Sequence, residues 1–231
     1  NYHHYNLFTG IHANAAAMAR ECIRQYYWPG YWQDIKDYVR TCHNCQINKA
    51  TRSNKVGKLK LFTPTKPNQM IAIDHKGPMP ESRNGNKYVT NIIDKFHGRV
   101  DSYPVRAIDA RTTVITLTKH MNKRGVPVTL LSDRGQDFLS EVCYYLYETT
   151  NIKKLNTTSH YPQTDGMTER YNRTMNTALR CIATDHDQQI VDDGSDWDLY
   201  IDLIATNHNN TYSARIGMSP NECELGYKIR T

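Results

Sequence analysis

No run of eighteen apolar residues occurs in this 231-residue chain, so no segment reads as a membrane-spanning helix. Asn1-Tyr2-His3-His4 offers neither an initiating Met nor the shape of a signal peptide, and the chain is expected to be cut from a longer polypeptide. Internal repeats and low-complexity tracts are also missing, which excludes a repeat architecture. Cysteine is sparse: of six, only Cys42 and Cys45 lie close together, so no secreted disulfide framework is written here. Cys22, Cys143, Cys181 and Cys223 sit within apolar patterns and are expected as small buried hydrophobes, in an intracellular, reducing setting. Nor is charge of one sign in great excess. The net +6 is carried by residues 1–60, with nine Lys or Arg against three acids, and the rest balances at twenty of each. A basic entry segment beside a neutral remainder suits a polyanionic partner. The length allows one sizeable core and a small satellite unit.

What is present is a set of acids at element ends. Met70-Ile71-Ala72-Ile73-Asp74 is an apolar strand ending in a carboxylate and broken by Gly77-Pro78. The run from Val126 to Ser132 carries no charge until Asp133, as a strand buried on both faces should. Pro162, Thr164, Asp165 and Gly166 then mark a helix start. On that helix Glu169, Arg173, Asn176 and Arg180 share the polar face. Met167, Tyr171, Met175, Leu179 and Ile182 are expected to turn to a core. Two strand-end acids and a helix-borne one can gather around divalent metal.

The flanks sharpen this. Asp74 with Gly77-Pro78, Ser132-Asp133-Arg134-Gly135, and Pro162-Gln163-Thr164-Asp165-Gly166 before Thr168-Glu169-Arg170 and Asn172 resemble the catalytic core of retroviral and LTR-retrotransposon integrases. The gypsy type is the nearest likeness, and thirty-five residues separate Asp133 from Glu169. The resemblance implies a ribonuclease H-like fold and a polynucleotidyl transferase with endonuclease chemistry. Asp74 would then be shared between two Mg²⁺ (or Mn²⁺) ions, with Asp133 on one and Glu169 on the other. It also implies 3′-end trimming of element DNA, strand transfer into target DNA, and double-stranded DNA as partner. A homo-oligomer on that DNA and work in the nucleus after a cytoplasmic particle stage follow the same likeness. The family's further C-terminal DNA- or chromatin-binding domain is expected to be absent from this chain. Three positions depart from the family: Asp137 and Met167 stand where Gln is usual, and His160-Tyr161 reverses the common order.

Upstream, Cys42-x-x-Cys45 with earlier histidines supplies the two thiolates and two imidazoles of a closed tetrahedral zinc site. A unit of about fifty residues with so few aliphatics needs such a metal for stability. It resembles the His-His-Cys-Cys domain that precedes the integrase core, down to Tyr27-Trp28-Pro29-Gly30. His12 falls in register with that family. The first imidazole is either His4, by a one-residue slip, or His3, by a longer loop; His4 is the expected ligand, and His43 points elsewhere.

The expected division is a zinc-binding helical domain over 1–48, a basic linker over 49–68, and a core over 69–231. The linker either tracks a DNA backbone or is a solvated connector. Helices are expected over 13–26 (Ala16, Ala19, Cys22 and Ile23 inward) and 32–40. The core should hold strands near 70–76, 87–95 and 99–105, a turn at Asn84-Gly85-Asn86, and a helix over 112–123. A strand over 126–132, a helix over 138–150, a strand over 152–156, the Glu169 helix and a helix over 197–207 follow. This order gives an α/β fold, a mixed sheet flanked by helices. Gln163, Thr164, Arg170, Asn172 and Arg173 are candidates to contact DNA phosphate or a terminal base pair. Arg173 serves equally as an i,i+4 partner of Glu169, worth about 0.3–0.5 kcal/mol. Two other functions fit the pattern: a domesticated copy that binds DNA without cutting it, and a related nuclease or transposase.

Overall fold

The computed structural model describes residues 4, 12–48, 64–156, 166–184 and 196–230. Most of the basic linker, with His3, Gln163 and Thr164, lies outside them.

Three short helices build the first unit: α1 (Ala15–Cys22), α2 (Tyr31–Thr41) and α3 (His43–Asn48). Asn14 caps α1 by accepting from Ala17 N at 2.9 Å, satisfying one of the unpaired N–H groups of a helix start. Gly30, at φ 85°, takes the left-handed turn that swings the chain into α2. Met18, Ala19, Cys22 and Ile35 form the small core, with Ala15, Trp28 and Tyr38 against it. The inward face of α1 therefore differs from the expected one: Ala16 and Ile23 are exposed and Met18 is buried. Arg20 lies 3.9 Å over the Tyr212 ring, and Lys228 meets Glu21 at 3.1 Å, so this unit rests on the core's last segment.

The core is a five-stranded sheet in the order β3-β2-β1-β4-β5. Its strands are β1 (Met70–Lys76), β2 (Tyr88–Asp94), β3 (Val100–Val105), β4 (Thr129–Ser132) and β5 (Lys153–Asn156). The first three are antiparallel neighbours, while β4 and β5 run parallel to β1. The helices are α4 (Ala110–Arg124), α5 (Glu141–Thr149), α6 (Gly166–Thr184), α7 (Trp197–Asn210) and α8 (Pro220–Leu225). Alternation along the strands divides the core in two. Ile71, Ile73, Ile92 and Leu130 pack under α4 and α5 with Phe138 and Tyr147. Val89, Ile93 and Val100 pack under α6 and α7 with Tyr171, Met175 and Ile201.

Among the differences from expectation, two boundaries and one buried face have local reasons. β4 starts at Thr129 because Val126 and Val128 are exposed and only lead into the sheet. α5 begins at Glu141, where Ser140 accepts from Cys143 N. The buried stripe of α6 is Thr168, Tyr171, Met175, Ala178, Cys181 and Ile182, wider than the expected one, with Leu179 only partly covered.

At the far end of β3, Asp101 accepts from His120 Nδ1 at 3.1 Å and from Arg124 Nε at 3.3 Å. Glu224 on α8 receives Arg99 at 2.6 Å and Arg124 at 2.9 Å, so α4, β3 and α8 share one charge network. Burial works to raise the Asp101 carboxyl, but the hydrogen bonds from His120 and Arg124 outweigh it and hold it well below the usual range. A depressed carboxyl contributes stability that is present above its unfolded value and lost as pH falls toward the folded one. Asp101→Asn is therefore expected to be roughly 2 kcal/mol less stable at neutral pH. It should also lose less stability than the parent on acidification below about pH 4. Urea midpoints along a pH series check both.

Candidate active site and metal centre

The zinc ligands expected from sequence meet in one buried cluster. His4, His12, Cys42 and Cys45 bring their donor atoms within 4.8 Å of one another. His12 Nδ1 lies 3.4 Å from Cys42 Sγ and 3.5 Å from Cys45 Sγ, and His4 Nε2 lies 3.5 Å from Cys45 Sγ. With Zn–S near ~2.3 Å and Zn–N near ~2.0 Å, ligands on a tetrahedral ion stand roughly 3.5 Å apart, so the quartet fits zinc as it stands. The two imidazole residues are tied by His12 N donating to His4 O at 2.8 Å. His12 adopts φ 47°, which aims its ring back at the thiols. Tyr38 meets the His4 ring edge-on at 5.5 Å. His4 is thus the imidazole in the cluster, and His43 is exposed.

Two of the three acids lie toward one end of neighbouring strands, and the third is on a helix packed against the same sheet. Ala72 pairs with Leu131 across the parallel β1/β4 ladder, so Asp74 and Asp133, two positions further on, stand at matching places on neighbouring strands. Asp74 has the parity of Ala72, the face that α6 covers, and Asp133 directly follows the end of β4. Glu169 lies on the first turns of α6, one turn before Asn172, whose Nδ2 donates to Asp74 Oδ2 at 2.6 Å. Asn172 Oδ1 accepts from Asn91 Nδ2 at 2.7 Å. Ser102 Oγ donates to Asn91 Oδ1 at 2.7 Å and lies 2.8 Å from Tyr171 Oη. A continuous chain of hydrogen bonds thus runs from Tyr171 to Asp74. Burial pushes the Tyr171 phenol far up, so it stays a neutral donor. Asp133 Oδ1 accepts from Gly135 N at 3.0 Å.

All three acids offer hard oxygens, the donor type that Mg²⁺ and Mn²⁺ prefer. Among the described residues, only the zinc quartet is gathered to within 4.8 Å, and the three acids are not. Asp133 and Glu169 are exposed and Asp74 half-buried, as a site open to a large substrate requires. Arg170 and Arg173 are exposed on α6, whereas Asn172 is turned inward onto Asp74.

Four residues near the acids escaped sequence reasoning. Asn91 is one, although an Asn in the middle of an apolar strand is a legible anomaly. Lys154 on β5 is another: its Nζ donates to Ser132 Oγ, to Leu155 O at 3.1 Å and to Asn156 Oδ1 at 3.0 Å. Burial brings the Lys154 amine down to about 8, against the pull of Asp133. The remaining two are His75 and Asp137, joined Nε2 to Oδ2 at 2.9 Å. Burial lowers the His75 imidazole, with the Asp137 carboxylate acting in the other direction. Asp137, one of the departures from the family, thus faces inward.

Residues 1–51 match the family model described as the integrase zinc binding domain. Over 215 residues the chain is 27% identical to the Tf2-3 and Tf2-4 transposon polyproteins of Schizosaccharomyces pombe, covering 92% of itself and 16% of each. It therefore spans about a sixth of the length of these curated relatives. Among solved structures it is similar to the simian T-cell lymphotropic virus intasome in complex with PP2A regulatory subunit B56 gamma. There the TM-score is 0.61 at 15% identity, over 95% of this chain and 73% of that one. The HTLV-2 integrase catalytic core in complex with magnesium gives 0.52 at 17% identity, over 67% and 95%. These solved chains share the fold. The matches bear out the resemblance to retrotransposon and retroviral integrases and the ribonuclease H-like class of the core.

Because the first unit's apolar core is small, its folding should follow the metal. The purified chain is expected to carry zinc, and Cys45→Ser to lose it. That loss should open residues 12–48 to protease while leaving the sheet's unfolding transition in place. Metal content by mass spectrometry and limited proteolysis check this.

Proposed function

We propose that this chain, with an integrase-type zinc unit ahead of an integrase-like core, is the integrase of a retrotransposon polyprotein. It trims the 3′ ends of element DNA and joins them to target DNA. The observation that supports this reading is that Asp74 and Asp133 lie toward the same end of neighbouring strands β1 and β4, while Asn172, one turn past Glu169, donates to Asp74. Asp74, Asp133 and Glu169 would hold divalent magnesium or manganese. Bound there, such ions activate the attacking oxygen and offset charge on the leaving one in an in-line displacement.

The chain's own residues do the rest. A phosphodiester carries a negative charge that repels nucleophiles, so the backbone must be held while the oxygen approaches. Arg170 and Arg173, exposed beside Glu169, are placed to grip phosphate oxygens, and Gln163 and Thr164 are assigned to the DNA end. Asn172 orients the Asp74 carboxylate by donating its amide to Oδ2. Lys154 sets a cation behind Asp133. The two chemical steps use one geometry: water attacks first and releases the terminal nucleotides, then the new 3′-OH attacks a target phosphodiester and displaces a target 3′ oxygen.

Residues 1–48 form the zinc-binding domain, 49–68 a basic linker and 69–231 the catalytic core. Several copies assemble on paired DNA ends, a reading supported by the intasome and trimeric forms of the structural relatives. The work is done in the nucleus after a cytoplasmic particle stage.

With Mg²⁺ and synthetic element ends, joined products are expected from the wild type and none above background from Glu169→Gln, whose DNA binding should persist. Equal behaviour of the two points to a DNA-binding protein, and cleavage without joining points to a nuclease. Asn172→Ala should keep the fold and lose about ten- to a hundredfold in joining rate, as orienting partners of metal ligands do. Gel analysis of single-turnover products checks both.

A further inference from the structure

The loop that leaves β4 carries Asp133 and, four residues on, Asp137. Asp137 turns under the sheet to meet His75, the residue after Asp74 on β1. Their contact, 2.9 Å from Nε2 to Oδ2, is nearly closed to solvent, with side chains 6% and 12% exposed. The imidazole is held from several sides. Its Nδ1 lies 2.9 Å from Thr90 Oγ1, and Thr113 Oγ1 stands 3.3 Å from Nε2. The Phe138 ring stacks on it at 4.8 Å with 5° between planes. A ring that donates from Nε2 to Asp137 and accepts at Nδ1 from the Thr90 hydroxyl uses both nitrogens.

The loop is equally fixed from its own side. The Asp137 carbonyl accepts from Ser140 Oγ at 3.2 Å and from Cys143 Sγ at 3.1 Å. Between the two aspartates, the loop at Gly135 has no room for a side chain. A Cβ there would stand 2.6 Å from Asp137 Oδ1 and 3.1 Å from Asp133 Oδ1. Gly135 N also holds Asp133 Oδ1 at 3.0 Å. The lack of a side chain at Gly135 lets both carboxylates close on one short stretch of loop, whose backbone N–H holds Asp133.

We propose that the His75–Asp137 pair is a cross-strand tether that sets the Asp133 carboxylate against Asp74 for divalent-cation binding. Alternation places Asp74 above the sheet and His75 below it, so one stretch of β1 both supplies an acid and anchors the loop of its partner. His75 and Asp137 are positioning residues that act through Asp133. The inference rests on the reading of the acids as metal-holding.

The test is Mn²⁺ binding to the zinc-loaded full chain without DNA, read from the free-ion signal in electron paramagnetic resonance, with thermal unfolding alongside. His75→Phe, which keeps the aromatic stack, and Asp137→Ala are each expected to weaken Mn²⁺ binding about tenfold. The double variant should be no weaker than either single one. Asp137→Asn retains an acceptor for the imidazole N–H and should restore binding to within about twofold of the wild type. Should His75→Phe fail to fold, the Asp137 variants decide alone. Wild-type affinity in Asp137→Ala, even with a lowered unfolding midpoint, makes the pair merely structural and overturns the tether. Asp133→Asn separates the two readings. If it binds Mn²⁺ as the wild type does, the acids are not the site and both fall; if it alone loses binding, only the tether falls.

Discussion

Ala72 on β1 lies opposite Leu131 on β4, and the placement of Asp74 relative to the end of β4 depends on that pairing. Parallel strands at the centre of a sheet are covered on both faces, so their register is pinned from two sides at once. Below, Ile71 and Leu130 are locked among Leu117, Phe138 and Cys143. A slip of one residue would send Leu130 to the α6 face and carry Asp133 away from Asp74 to the other side of the sheet. The core's hydrophobic packing therefore decides where two like charges sit, at the strand ends where the backbone runs out toward solvent.

The third acid is placed by a helix, and a helix needs its rotation fixed as well as its position. Tyr171, Met175, Ala178 and Ile182 set that rotation against Val89, Ile93 and Val100. The polar chain Tyr171–Ser102–Asn91–Asn172–Asp74 makes the same demand in hydrogen bonds, which tolerate less error than apolar contacts do. One helix turn thus buries a tyrosine, holds Asp74 through an amide and leaves Glu169 exposed at the rim.

How much of this was legible depends on whether the signal was local. Asp74 and Asp133 could be read because an apolar run ending in an acid is a short pattern, and β1 was found with its observed limits. The zinc ligands were legible because thiol pairs have few other uses at that spacing, and the ambiguity between His3 and His4 was one of loop length. The inward turn of Asn172 was not legible. It depends on Asn91, eighty-one residues away in sequence. The same holds for Asp137 and His75, sixty-two residues apart. Val126 and Val128 misled because apolar residues at a strand's approach look like the strand itself, although both are half exposed. The width of the buried stripe on α6 needed the opposing strands to be known first.

The zinc unit and the sheet-based core solve stability differently. The first gathers four ligands around a core of a few side chains, while the second relies on two apolar layers either side of one sheet. Contacts from Arg20 and Glu21 to Tyr212 and Lys228 bring them together along the core's final segment. The central claim, that packing delivers three distant carboxylates to one pocket for paired cations, is tested most directly by anomalous diffraction from crystals soaked in Mn²⁺. The account predicts manganese peaks ligated by Asp74 and Asp133, with Glu169 on the second ion once DNA is present. Peaks elsewhere on the chain, with these three side chains directed to separate surfaces, would contradict it.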